Sequence, residues 1–359
     1  MKVSKTDVAS GEELEGATIQ ILDKDGNVVD EWVSTKDVHE IEGLKTGEEY
    51  TLKETVAPEG YTVATETTFT IDEKGKVTTT GTTTTDEEGN TVLLVEDAKT
   101  KVKVSKTDVA SGEELEGATI QILDKDGNVV DEWVSTKEVH EIEGLKTGEE
   151  YTLKETVAPD GYAVTTATTF TIDETGKVTT TGSTTTDAEG NTVLLVEDAK
   201  TKVTVAKVDK GGKALEGAKL QIVDKSGKVV DEWTTGKDVH TIEGLNPGEY
   251  TLKETAAPSG YKVAADIAFT LEADGTVKVN GKAVEKITMI DEKATTTTGT
   301  TPKSSGSGKS ATTATKSSAK TGDTTNVLPF ALMAALSAGA IAGIAGKKKK
   351  EEEDASEEK

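Results

Sequence analysis

The sequence predicts an all-β protein of three tandem β-sandwich domains, followed by a disordered linker and one C-terminal transmembrane helix. Three observations point there. Trp32, Trp133 and Trp233 recur in the same Asp-Glu-Trp string at a spacing of about 100 residues, and a unit of that size buries its own core where a solenoid turn could not. Inside each unit apolar and polar residues alternate between turn signals about every 8 to 12 residues, the signature of a sandwich. After residue 293 the composition shifts to a Thr/Ser/Gly/Lys run and then to an uncharged Ala/Leu/Ile-rich stretch, the first too polar to build a core and the second apolar enough to span a bilayer.

The modules cover residues 1–101, 102–201 and 202–293, the first two nearly identical and the third diverged. In the first, Val3 and Lys5 share one face of an opening strand. Residues 17–21 alternate, Asp25-Gly26 turns the chain, and residues 28–33 return. Further strands are expected at 38–41, 50–55, 67–71, 76–79 and 92–97. No stretch inside a module sustains a helical period, so helix content should be low.

Composition narrows the function classes. A net charge of −25 repels phosphate backbones and acidic membrane surfaces, and no basic stripe with interleaved aromatic residues offsets it, so no nucleic-acid partner is expected. The absence of cysteine excludes disulfides, thiol catalysis and zinc-thiolate sites. No metal and no cofactor is expected. Asp23-Lys24-Asp25-Gly26-Asn27 resembles the start of a calcium loop, but such a loop needs glycine at its sixth position and glutamate at its twelfth, where Ser34 stands. The third module keeps only Asp224 and Ser226, and a hairpin turn is the expected reading. His39, His140 and His240 occupy equivalent positions with no second histidine nearby and are expected to be ordinary strand residues.

Alternation also aims three ionisable groups per module inward. Lys5 shares its face with Val3, Glu54 follows Tyr50 and Leu52, and Asp97 follows Leu93 and Val95. The second module repeats this with Lys106, Glu155 and Asp198, and the third with Lys207, Glu254 and Asp291. From spacing alone the alternative is that alternation breaks at the strand ends and these groups reach water. Glu96 and Glu197, beside the chosen aspartates, leave a second register open in the first two modules.

Lys-x-Asp at the start, Leu14-Glu15-Gly16-Ala17, and the box Glu54-Thr-Val-Ala-Pro58-Glu-Gly60-Tyr61, whose Glu-Thr-x-Ala-Pro-x-Gly-Tyr pattern is present three times, carry a resemblance. Each module resembles, end to end, the collagen-adhesin B-type (Cna-B) or SpaA pilin-type prealbumin-like domains of Gram-positive surface proteins. Met289-Ile290-Asp291 resembles the last strand of the fibronectin-binding adhesin domain from which split peptide-tag pairs were made, where the acceptor is Asp and not the commoner Asn. The resemblance implies an intramolecular isopeptide bond in each module, joining Lys5 to Asp97, Lys106 to Asp198 and Lys207 to Asp291. It casts Glu54, Glu155 and Glu254 as the catalytic acids. Burial disfavours the charged forms of amine and acid, and the fold supplies the effective molarity that a poor reaction needs. A bond made once per domain, without substrate turnover, implies a protein that is not an enzyme.

Residues 294–320 are expected to be a wall-spanning linker, reaching roughly 90 Å when fully extended. Residues 327–346 read as a membrane span with the lysines at 347–350 on its cytoplasmic side. Ser318-Ala319-Lys320-Thr321-Gly322 resembles a sortase sorting signal, which implies cleavage between Thr321 and Gly322 and attachment of Thr321 to peptidoglycan. Here Ser-Ala replaces the usual Leu-Pro, and the acidic tail is longer than such signals carry. The sorting signal and its charged tail thus occupy 318–359. Expected partners are sortase and peptidoglycan, the membrane before processing, and a host matrix protein. The expected location is the cell surface, wall-anchored, or membrane-anchored if the signal is not processed. The chain opens directly in its first strand with no signal peptide, so export is expected from the C-terminal segment alone and the chain is expected to be part of a longer adhesin. The leading functional expectation is a rigid stalk presenting an adhesive region; the alternatives are repeats that themselves grip a host or matrix ligand, or a minor pilus component.

Overall fold

The computed structural model describes residues 1–295, and among them no helix forms. The first module contains β1 (Lys2–Asp7), β2 (Thr18–Leu22), β3 (Val28–Val33), β4 (His39–Glu40), β5 (Glu49–Val56), β6 (Thr67–Ile71), β7 (Val77–Thr79), β8 (Thr83–Thr85) and β9 (Thr91–Asp97). They form two sheets, ordered β4-β1-β9-β8 and β3-β2-β5-β6-β7. The first and last strands meet at the centre of the smaller sheet, where β1 runs parallel to β9 with Lys5 opposite Val95 and Asp7 opposite Asp97. All other strand pairings of the module are antiparallel.

The core forms where period-two faces meet. Val3, Leu93 and Val95 come from one sheet and Ile19, Ile21, Tyr50, Leu52 and Phe69 from the other, all buried. Burying each such aliphatic or aromatic side chain is worth about 1.5 to 3 kcal/mol. The second module repeats the arrangement, with sheets of four and five strands. The third redistributes it into three and six, because Lys282–Ala283 pairs with Val277–Val279.

Most expected strands form within a residue or two of their predicted ends. The predicted strand 38–41 shortens to His39–Glu40 in the first module but spans His140–Glu143 and His240–Glu243 in the others. Thr83–Thr85 was not expected. It is an exposed edge strand with no apolar alternation to mark it. The Asp23 motif is a hairpin turn: Asp23 Oδ1 accepts the N–H groups of Asp25 and Asn27, both at 2.9 Å, and Gly26 supplies the positive φ of 81°. That carboxylate is occupied by its own turn. The expected linker, membrane span and sorting signal, with Thr321 and Gly322, lie outside the described residues.

Successive modules touch through one recurring junction. Thr100 Oγ1 donates to Leu145 O at 2.5 Å, Gly144 N donates to Thr100 O at 3.0 Å, and Val63 N donates to Glu174 O at 2.9 Å. At the second junction Thr201 and Leu245, Gly244 and Thr201, and Val164 and Ala273 repeat these bonds. The Lys146–Glu59 ion pair of 2.9 Å gives way to Asn246, whose Oδ1 accepts Gly161 N at 2.6 Å. Gly60 makes the close approach feasible: its φ is +83°, and a Cβ there would stand 2.7 Å from Gly144 O. Gly60→Ala combines that clash with a left-handed penalty of roughly 1 to 2 kcal/mol. The expected outcome is two modules that stay folded but reorient independently, read by NMR relaxation, while the second junction stays closed.

Candidate functional site

The central parallel pair and the facing sheet place the three inward ionisable groups together. Lys5 on β1, Glu54 on β5 and Asp97 on β9 are 3%, 4% and 1% exposed. Lys5 Nζ pairs with Asp97 Oδ1 and, at 3.3 Å, with Glu54 Oε1. In the second module Lys106 Nζ lies 2.5 Å from Asp198 Oδ1 and 3.3 Å from Glu155 Oε1. In the third, Lys207 Nζ pairs with Asp291 Oδ1 and lies 3.0 Å from Glu254 Oε1. Alternation therefore continues to the strand ends, and Glu96 and Glu197 are turned away from the core.

The glutamates are pinned from behind. Glu54 Oε2 accepts Ala64 N at 2.6 Å, Glu155 Oε2 accepts Thr165 N at 2.8 Å, and Glu254 Oε2 accepts Ala264 N at 2.6 Å. The donor in each case lies just beyond the Pro-x-Gly-Tyr box, which gives that box a local purpose: it folds the chain back over the glutamate.

Two carboxyls facing one amine in a dry space compete for one charge. Burial pushes the Asp97 carboxyl up to about 7, against the opposing pull of Lys5. Burial likewise raises Glu155 to about 7 and moves Asp198 and Asp291 upward. Asp97 Oδ2, Asp198 Oδ2 and Asp291 Oδ2 are buried without a hydrogen-bond partner. An unmet acceptor of this kind costs about 1 to 3 kcal/mol. The arrangement sets an amine nitrogen against a carboxyl carbon that carries a dispensable oxygen, with a second acid positioned to handle the proton.

Two features escaped the sequence. Tyr61 OH donates to Asp7 Oδ2 at 2.9 Å, and Tyr162 OH to Asp108 Oδ2 at 2.7 Å. The signal was the Lys-x-Asp spacing, which puts Asp7 on the inward face with Lys5. The histidines do begin strands, but they also stack on the recurring tryptophans, with Trp32 and His39 rings 4.0 Å apart at 12°. His39 Nε2 sits 3.0 Å from Asp30 Oδ2, and the other two modules repeat the stack at 4.1 Å. The joint recurrence of Asp30, Trp32 and His39 carried that signal. Among the described residues no cluster of His, Cys, Asp and Glu is arranged to hold a metal ion.

The family profile of the SpaA prealbumin-like fold domain matches residues 1–93, 100–191 and 201–285. These matches cover more than half of the chain, and the chain belongs to that family. Among solved structures it is similar to the Bacillus anthracis TIE protein, at 26% identity over 80% of this chain and 49% of that one, with a TM-score of 0.37. It is similar to the pilus adhesin SpaC of Lactobacillus rhamnosus GG, at 16% identity over 82% of this chain and 43% of that one, TM-score 0.33. The shaft pilin SpaA of the same organism matches at 15% identity over 54% of this chain and 98% of its own, TM-score 0.23. The chain thus spans about half the length of the first two. No curated protein matches it.

The raised aspartate predicts a pH dependence in a module that cannot condense. In Lys5→Met the influence that lowers the Asp97 pKa is gone, so the folded state holds the proton to higher pH than the unfolded chain does. Stability from this group is then greatest below about pH 4 and is lost as pH rises through the raised folded-state value, about 7 with Lys5 in place and higher without it. Calorimetry of Lys5→Met against Lys5→Met/Asp97→Asn is expected to show the first variant losing ground as pH rises across that window.

Proposed function

We propose that the protein is a non-enzymatic, wall-anchored surface stalk whose three modules are each closed by a Lys-Asp isopeptide bond. The observation that carries this reading is the triad itself: in every module an amine nitrogen is packed against a buried carboxyl, with a pinned glutamate touching the same nitrogen. In the condensing state the amine is neutral and the aspartate protonated. Lys5 Nζ attacks Asp97 Cγ, a C–N bond forms, and one N–H proton passes through Glu54 to the departing hydroxyl. The C–O bond breaks, water leaves and an amide remains. The unpartnered oxygen is lost in the process, and the lysine and aspartate no longer form a pair of charges to bury.

The bond also suits the topology. β1 and β9 are parallel, so a pull on the two ends of a module shears the first strand against the last. Load enters along β1, crosses from Lys5 to Asp97 and leaves, and the residues between bypass it. Closing a loop of about 90 residues contributes about 4 to 5 kcal/mol in the chain-entropy model. This serves a chain without disulfides. The linker at 294–320 would then carry the modules through the wall to Thr321, joined by sortase to peptidoglycan, and present an adhesive region at the surface.

Intact-mass measurement tests the cross-links. The folded chain is expected to weigh about 54 Da less than its sequence, one water per amide. Lys5→Ala restores one water, and so does Glu54→Ala with Lys5 still present. A folded wild-type chain of full mass would overturn the stalk reading. For the anchor, Thr321→Ala is expected to leave the protein in the membrane fraction of its host; release of that variant by wall-digesting enzymes, at the wild-type level, would count against sortase processing.

A further inference from the structure

We propose that Tyr61 with Asp7, and Tyr162 with Asp108, are positioning pairs for the cross-linking step, holding a fixed negative charge beside the acceptor aspartate so that it stays a neutral acid. This rests on the isopeptide reading above.

Asp7 is directly opposite Asp97 in the parallel register and only 5% exposed. Its place on β1 is two residues beyond Lys5, on the same inward face. Asp7 Oδ1 accepts Ala9 N at 2.7 Å and Ser10 N at 2.8 Å, and Oδ2 accepts Tyr61 OH at 2.9 Å. All three donors are neutral, so they stabilise the anion without cancelling its charge. The carboxyl is held below the usual range, chiefly by Ser10 N, and in the second module Asp108 is lowered to about 2, chiefly by Tyr162. Two neighbouring carboxyls whose surroundings push them apart divide the roles of anion and acid. Here the hydrogen-bonded partner takes the charge. Asp97, whose Oδ2 has no hydrogen-bond partner, keeps the proton that lets its hydroxyl leave.

The tyrosine is built into this place. Tyr61 bridges to Lys99 just past β9, and burial together with its hydrogen bond to Asp7 raises the pKa of its hydroxyl. Lys5 from β1 and Glu54 from β5 act most strongly on Asp97, and Asp7, with Tyr61 on it, stands opposite Asp97 in the strand register. Glu13, next to β1, is instead engaged by Ser4 Oγ at 2.6 Å, on the opposite face of the strand.

The third module supplies a contrast. Asp209 again stands opposite Asp291, but the following turn is tighter: Leu215 N returns to Lys207 O, where Leu14 N returned to Lys5 O. Asp209 Oδ1 is taken by Gly211 N and Lys213 N at 2.8 and 3.0 Å, and among the described residues Tyr261 makes no hydrogen bond to it. On this reading the third site condenses without the tyrosine and serves as an internal control.

Unreacted full-length chain, recovered in denaturant from insoluble expression, is diluted into buffers from about pH 5 to about pH 9. Condensation is followed over time as the mass of the Lys5–Asp97, Lys106–Asp198 and Lys207–Asp291 cross-linked peptides. Tyr61→Phe is expected to slow the first site several-fold at neutral pH and to move the alkaline limb of its profile to lower pH, because a weaker anion at Asp7 lets Asp97 ionise sooner. Asp7→Asn, which removes the charge, moves the limb further in the same direction. The second and third sites stay unchanged in both chains. A folded Tyr61→Phe chain whose first site keeps the wild-type pH profile, whether slowed or not, overturns the positioning role. Absence of all three cross-linked peptides in the wild type overturns the isopeptide reading and this proposal with it.

Discussion

In every module the first strand lies parallel to the last in the smaller sheet, and that pairing brings an amine and an acid from opposite ends of the module into a buried space. The rest of the module serves this contact. The facing sheet contributes the glutamate, the Pro-x-Gly-Tyr box folds over it, and the apolar rows of β1, β5 and β9 keep solvent out. A buried ion pair is ordinarily a weak source of stability, because desolvating two charges offsets most of their attraction. On the proposed cross-link, the three triads are reactant states rather than stabilising ion pairs, a view the aspartate Oδ2 atoms without partners support.

The junctions extend the same logic beyond one module. Asp97 at the end of β9 and Lys106 on the first strand of the second module, Lys101–Asp108, are separated by eight residues, and among these Thr100 is hydrogen-bonded to both modules. If each module is closed by an amide, the load path runs through these connectors and little else. Thr100 and Thr201, each bonded to a carbonyl on either side of its junction, then lie on the path that bears force. The glycines at 60 and 161 permit the contact because a side chain in either place would meet the backbone of the next module.

The divergence of the third module separates what the site requires from what accompanies it. It keeps lysine, glutamate, aspartate and the backbone donor to the glutamate. It loses the tyrosine bond, rearranges the sheets and exchanges an ion pair for an amide at its junction. The invariant part is the triad and the parallel pairing that assembles it.

By itself the sequence determined the repeat, the all-β character, most strands and the inward direction of Lys5, Glu54 and Asp97, because each follows from local periodicity: side chains two apart share a face whatever the chain does elsewhere. Family membership was legible for a similar reason, since the Glu-Thr-x-Ala-Pro-x-Gly-Tyr box is a contiguous string. Only the tertiary structure decided that β1 and β9 are neighbours, since a pairing across about 90 residues leaves no local trace, and only it decided that Asp97 rather than Glu96 enters the core. Thr83–Thr85, Tyr61 on Asp7 and His39 on Trp32 were equally hidden. An exposed threonine strand has no apolar rhythm, and a hydrogen bond or ring stack between residues distant in sequence exists only once the sheets have closed.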